Sequence, residues 1–217
     1  MAPSDPSWRR PRSYHHGNLK EVLLEAARKL IEQHGPVGFS LTEAARLAGV
    51  SPAAPYRHFR DRDALLAEVA RTGFDRFAAR LDAAWNNGVP TPFAAFDALG
   101  RAYLAFAREE PASYAVMFEA GLAAEDAARM PGANQSFDVL QKAAAALCRG
   151  LPEKDRPPVR LMSLHIWAVS HGVATLFAQG GAQAKAVPMT AEEILESAML
   201  IYLKGLGILE PDKGGQG

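Results

Sequence analysis

The chain lacks most of what marks catalytic or secreted proteins. One cysteine, Cys148, stands in 217 residues, which excludes an intramolecular disulfide framework and suits a reducing compartment. A lone Cys reads as a small buried apolar residue in preference to a redox sensor. No apolar run reaches membrane-spanning length and no signal peptide is visible, so a soluble, cytoplasmic protein without a membrane partner is expected. No Ser-His-Asp set, Gly-rich phosphate loop or Cys cluster appears. His165 and His171 are six apart, face different sides of a helix, and lack an H-x-x-x-H or E-x-x-H partner. An α-helical enzyme is therefore the remote reading, and neither cofactor nor metal is expected. Net charge is absent too, with 24 basic and 24 acidic residues, which argues against a general nucleic-acid binder.

What charge there is divides unevenly. Residues 1–62 carry ten Lys and Arg against six Asp and Glu; residues 63–217 carry fourteen against eighteen. The first segment is thus at +4 and the second at −4, and a DNA partner would favour the first.

Within that basic segment, Ser40 to Phe59 reads as two short helices joined by a tight turn. Ser40 and Glu43 form an S-x-x-E capping box. Ala44, Ala45 and Ala48 keep one face small enough for close packing. Gly49 supplies the positive φ that ends the first helix, and Val50 plugs the turn into the core. Ser51 is placed as the next cap with Pro52 at the first helical position, and Pro55 falls within the first turn. Tyr56, Arg57 and His58 follow, then Phe59 returns to the core. Helix, Gly-containing turn and capped second helix make the helix-turn-helix pattern.

The rest is helical throughout. A first helix from near Asn18 carries Leu19, Val22, Leu23, Ala26, Leu30 and Ile31 at helical spacing and stops at Gly35-Pro36. Asp61 caps a long helix whose stripe (Leu65, Leu66, Val69, Phe74, Phe77, Leu81, Trp85) runs to Asn87-Gly88, a lever leaving the DNA unit. Thr91-Pro92 opens a helix with Phe93, Phe96, Leu99, Tyr103 and Phe106 on one face. A short helix follows Pro111, then a loop over 119–131 expected to be mobile, then a helix over about 134–149. Residues 1–13 are either a solvated leader or a basic arm that reaches DNA. The expected fold is all-α: a three-helix helix-turn-helix domain over 14–62, a larger helical bundle over 63–210, about nine helices, and a flexible tail over 211–217.

The last two helices, 159–179 and 191–206, differ in kind. The first has one apolar stripe (Val159, Met162, Ile166, Val169, Val173, Leu176) and a second stripe of small residues (Ala168, Gly172, Thr175). The second, opened by a Thr190/Glu193 capping box, is apolar nearly all round. Helices apolar on two sides must be buried on two sides. A second copy of the same pair would do so in a four-helix homodimer interface; the centre of a monomeric bundle is the alternative.

The run GVSPAAPYRHFRDRDALL (Gly49 to Leu66) resembles the TetR family of bacterial transcriptional regulators, and YHHGNL (Tyr14 to Leu19) with Trp167-Ala-Val-Ser-His171-Gly172 resembles its subgroup named for a Trp-His-Gly motif. The resemblance implies all-helical homodimers that bind a double-stranded DNA operator through the N-terminal domain and a small effector through the C-terminal one. Carried over, Thr42, Ser51, Ala53, Ala54, Tyr56 and His58 face DNA, with Tyr56 and His58 on phosphates and Ala53 and Ala54 near a thymine methyl. Arg57 suits a guanine. Arg62 stands where relatives usually have a phosphate-binding Lys. Thr42 stands where many relatives have Arg, for which Arg46 is the candidate substitute. Tyr103, Phe106, Met117, Phe118, Phe137, Leu140, Trp167 and His171 are candidate effector residues, with core packing as their competing role. No charge recurs among them, so a mostly apolar effector is expected. Repression is the family's habit; control by a protein partner, or by nothing small, is the alternative.

Overall fold

Four helices start on side chains that the sequence marks as caps. In the computed structural model, which describes residues 19–118, 130–178 and 188–209, the Ser40 hydroxyl accepts the Glu43 N–H at 3.2 Å and the Glu43 carboxylate accepts the Ser40 N–H at 2.8 Å. Thr190 and Glu193 repeat the exchange at 3.2 and 2.7 Å. Asp61 accepts the Ala64 N–H at 2.8 Å and Thr91 the Ala94 N–H at 3.2 Å. Each bond satisfies a donor that the first helical turn leaves unpaired. The helices are α1 (Leu19–His34), α2 (Leu41–Leu47), α3 (Arg62–Trp85), α4 (Pro92–Glu109), α5 (Pro111–Phe118), α6 (Pro131–Leu147), α7 (Val159–Ala178) and α8 (Ala191–Gly205). Among the described residues there is no strand, and no helix is long and apolar enough to cross a membrane. The expected cap at Asn18, the N-terminal arm, the loop over 119–129 and the tail over 211–217 lie outside the described residues.

Two boundaries differ from the sequence reading. Met130-Pro131-Gly132 is the start of α6, with Pro131 in the first turn, where its missing N–H costs nothing. Gly132 is there because α6 crosses α3 almost in contact: a Cβ would come within 2.6 Å of the Phe74 carbonyl carbon and the Asp75 nitrogen. The second difference is the segment after Gly49 (φ +70°). Ser51 to Phe59 forms turns and a single 3₁₀ turn, Pro55–Arg57, in place of an α-helix. Pro55 has no N–H for the Ser51 carbonyl, which accepts instead from Ala54 at 2.9 Å; Arg57 N–H then reaches Ala54 and His58 N–H reaches Pro55, at 3.3 and 2.9 Å.

A single buried cluster runs from α1 to α8, with Leu23, Leu24, Phe39 and Phe59 at one end and Leu195, Met199 and Leu203 at the other. Cys148 lies inside it, its thiol 3.4 Å from the Met162 sulfur, and burial raises its pKa. The spine is α3, whose 24 residues extend about 36 Å. At its N-terminal end Glu68 pairs with Lys20 of α1 at 2.6 Å and with Arg71 at 2.7 Å. Further along, Arg76 grips Glu110 at 2.5 Å and donates to the Ser113 hydroxyl at 3.0 Å, tying α3 to the α4–α5 junction.

The outer face of α7 and α8 is apolar. Leu161, Leu164, Leu176, Leu200 and Ile201 are exposed, and on α7 they alternate with exposed Ala168, Gly172 and Thr175. The expected small-residue stripe therefore lies outward, joined by Leu176, which helical spacing alone puts on the inner stripe. His165 Nδ1 meets the Tyr202 hydroxyl at 3.0 Å and links the two helices.

Candidate DNA interface and effector cavity

In the helix-turn-helix unit, packing decides which side chains are left outside. Leu41, Ala44 and Ala45 bury one face of α2 against α1, and Pro55 and Phe59 anchor both ends of the 3₁₀ turn. Thr42, Arg46, Ser51, Ala53, Tyr56, Arg57 and His58 are consequently exposed, Tyr56 to 58%. Tyr56, Arg57 and His58 thus present hydrogen-bonding groups side by side on one exposed turn. Arg46 and Arg57 make no ion pair among the described residues. Ala54 is half-buried. Arg62 is more constrained than its exposed neighbours: its guanidinium donates to Asp63 at 2.9 Å and to the Val37 carbonyl at 3.2 Å. That carbonyl bond holds the start of α3 against the α1–α2 turn.

In the bundle, a cavity of about 360 Å³ opens between α3, α5, α6 and α7. Its wall contains Met117, Phe118, Phe137, Leu140 and Trp167, five of the expected effector residues, together with Phe74, Phe77, Leu81, Ala133, Ser136, Leu164 and Arg160. Phe74, Phe77 and Leu81 are legible in the sequence only as the apolar stripe of the long helix. Arg160 is hidden there by its place in the first turn after a proline-rich break; among the described residues it is the charged member of this lining, and it qualifies the expectation of a wholly uncharged site.

The other expected effector residues sit elsewhere. Phe106 is fully buried and packs against Phe77 as a core residue, the two rings tilted with centroids 4.9 Å apart. Tyr103 faces a second cavity of about 390 Å³ between α4, α7 and α8, lined also by Phe93, Phe96, Ile166, Leu195 and Met199 and by Leu140, which reaches both cavities. His171 lies behind the first cavity, nearly parallel to Trp167 and to Tyr114, each 5.7 Å away. Its Nδ1 meets the Tyr114 hydroxyl at 2.7 Å, and the buried Tyr103 hydroxyl at 3.4 Å. Burial pushes the Tyr103 pKa well up, with the Tyr114 hydroxyl adding to it, so this phenol stays protonated. The group braces the cavity's aromatic wall through Phe118, which lies 5.0 Å from His171 and 4.8 Å from Tyr114.

Comparison with known proteins accounts for both regions. Residues 23–69 match the family "Bacterial regulatory proteins, tetR family", and residues 96–201 match "Tetracyclin repressor-like, C-terminal domain". No curated protein matches the sequence significantly. Among solved structures, a protein of unknown function from Rhodococcus sp. RHA1 is 32% identical, with 90% of this chain and 98% of that one covered at a TM-score of 0.72. The TetR family regulator PfmR from Thermus thermophilus shares 21% identity over 84% of this chain and 97% of its own, TM-score 0.66. AibR, solved in complex with isovaleryl coenzyme A and operator DNA, shares 20% over 84% and 97%, TM-score 0.64. With its helix-turn-helix matched by one family domain and its bundle by the other, the chain belongs to the TetR family and is a DNA-binding transcriptional regulator.

Proposed function

We propose that this regulator is a ligand-responsive repressor, a homodimer that leaves a near-palindromic operator when a small, mostly apolar effector enters the bundle. The observation that carries this reading is the shared use of α3 and α5. Both supply cavity wall, through Phe74, Phe77 and Leu81 and through Met117 and Phe118. Both also pack against α1 of the helix-turn-helix unit. A ligand shifts DNA affinity only if it binds the competent and incompetent arrangements unequally; wedging α3 from α5 changes the seat of α1 and so the span between two recognition elements. In this reading residues 14–62 form the DNA-binding unit and 63–210 the effector and dimer unit. The exposed faces of α7 and α8 pair with those of a second copy and hold the two Tyr56-Arg57-His58 turns about 34–36 Å apart, one helical repeat of DNA. Trp167, His171 and Gly172 are taken as the Trp-His-Gly motif, a reading supported by the stacked pair behind the cavity. The regulator acts in the cytoplasm, where its operator lies.

Footprinting across the neighbouring genome tests the proposal: a protected site with two-fold symmetry is expected, and its absence from every fragment at low salt would end it. If each protomer neutralises about four phosphates, log K should fall with log salt at a slope near −7.

A further inference from the structure

The charge on the cavity rim carries more information than its volume. In the effector unit, Arg71, Arg76, Arg80, Arg101 and Arg108 are each bound to a carboxylate, and Arg156 donates to the Leu151 and Arg149 carbonyls. Arg149 and Arg160 have no such partner among the described residues, and of the two it is Arg160 that lines the aromatic cavity. Among the described residues no acidic side chain shares that lining, whereas the second cavity has Asp97, Glu192 and Glu196 on its wall. The hydroxyl of Ser136, the remaining polar side chain of the first cavity, is already given to the Ala133 carbonyl at 2.8 Å.

We infer that the effector is an amphipathic monoanion, an apolar body with one carboxylate-type end, whose charged end is paired by Arg160 while its body lies against Phe74, Phe118, Phe137 and Trp167. This rests on the proposal that the first cavity is the effector site. A volume of about 360 Å³ admits roughly a dozen non-hydrogen atoms, taking ~30 Å³ for each water-sized group. A guanidinium meets a carboxylate through two parallel N–H donors, a charge-assisted pairing that an alcohol of the same shape cannot reproduce.

Calorimetric titration of the full-length protein with two matched pairs tests this: octanoate against octan-1-ol, and 2-naphthoate against 2-naphthalenemethanol. In at least one pair the acid should bind about tenfold or more tightly than its alcohol. R160Q should erase that preference by weakening the acid alone, and R160K should keep part of it. Equal binding of acid and alcohol overturns the inference, as does an R160Q variant that keeps the preference, or binding of none of the four. A parallel operator gel shift separates the two claims. Arg160-dependent acid binding that leaves DNA bound would sink the effector reading and spare the site; release of DNA by acid and alcohol alike would do the reverse.

Discussion

Replacing Ile201 by glutamate separates the paired-helix reading from the stability of the fold. Ile201 is 73% exposed in the single chain, so the change removes almost no intramolecular contact and should cost the protomer no more than about 0.5 kcal/mol. In a dimer closed through α7 and α8 the same side chain is buried beside Leu161, Leu164, Leu176 and Leu200. Full burial of an isoleucine is worth ~1.5–3 kcal/mol, and the exposed 73% of that is about 1–2 kcal/mol. Two-fold symmetry counts it twice, for about 2–4 kcal/mol. Placing two unpaired carboxylates in the apolar seam adds several kcal/mol more. Even about 4 kcal/mol is nearly a thousandfold in dissociation constant. Sedimentation equilibrium should therefore show I201E as a single chain at concentrations where the wild type is a dimer, with helical circular dichroism retained. Operator affinity should collapse with it, since one Tyr56-Arg57-His58 turn makes few contacts. A variant that sediments as a dimer of unchanged affinity, or a monomer that binds the operator as tightly as the wild type, would refute the reasoning.

Four further outcomes are expected. Arg57→Ala should reduce affinity most at one base pair of each half-site, by ~1–3 kcal/mol, whereas Arg62→Ala should weaken binding alike on all sequences and flatten the salt slope, as read by competition gel shifts. Gly132→Ala should lower stability by about 1–3 kcal/mol in thermal unfolding, because its methyl group would meet backbone atoms of α3 that cannot swing aside; an unchanged melting temperature would mean the crossing is looser than the geometry requires. Arg71, and after it Lys20, hold the Glu68 carboxyl at about 2 against the usual 4.5, although partial burial opposes this. Because the folded pKa is depressed, this contribution is complete above pH 4.5 and is lost as pH falls from there toward 2. Glu68→Gln should remove on the order of 1–3 kcal/mol at neutral pH and flatten the acid limb of the stability profile.

Much of the fold is legible because its punctuation is chemical and local. Ser40 with Glu43, Asp61, Thr91, and Thr190 with Glu193 each announce a helix start, and each makes the bond its residue type predicts. The same logic misleads at Ser51 to Phe59. Ser51-Pro52 does look like a cap and first residue, but Pro55 removes the donor that an α-turn would need, and two closely spaced prolines favour successive three-residue turns. The cavity is half legible. Met117, Phe118, Phe137, Leu140 and Trp167 are visible as aromatic or apolar residues on helices flanking one space. Arg160 is not, because its significance depends on having no carboxylate neighbour among the described residues, and ion pairs between elements distant in sequence leave no local pattern. Phe106 and Phe77 illustrate the converse: equally apolar and packed together, they divide between core and cavity wall by a tertiary arrangement that no local pattern encodes.

Two polar clusters tie α3 to its neighbours. The Arg76–Glu110–Ser113 cluster clamps α3 to the α4–α5 junction near the middle of α3, and the Lys20–Glu68–Arg71 group clamps its N-terminal end to α1. In the proposed mechanism, these two groups couple a displacement of α5 through α3 to α1. The cavity also touches the outer face, since Leu164 is both wall and exposed surface. An effector large enough to displace Leu164 would act on the seam between copies as well as on α3. The two effects have the same sign, because a dimer tuned to one spacing of recognition turns loses operator affinity if either the lever or the seam shifts. Under the proposed function the ligand needs only a small differential affinity: at about 1.4 kcal/mol per tenfold, modest strain at each of two coupled contacts multiplies in the DNA-bound population.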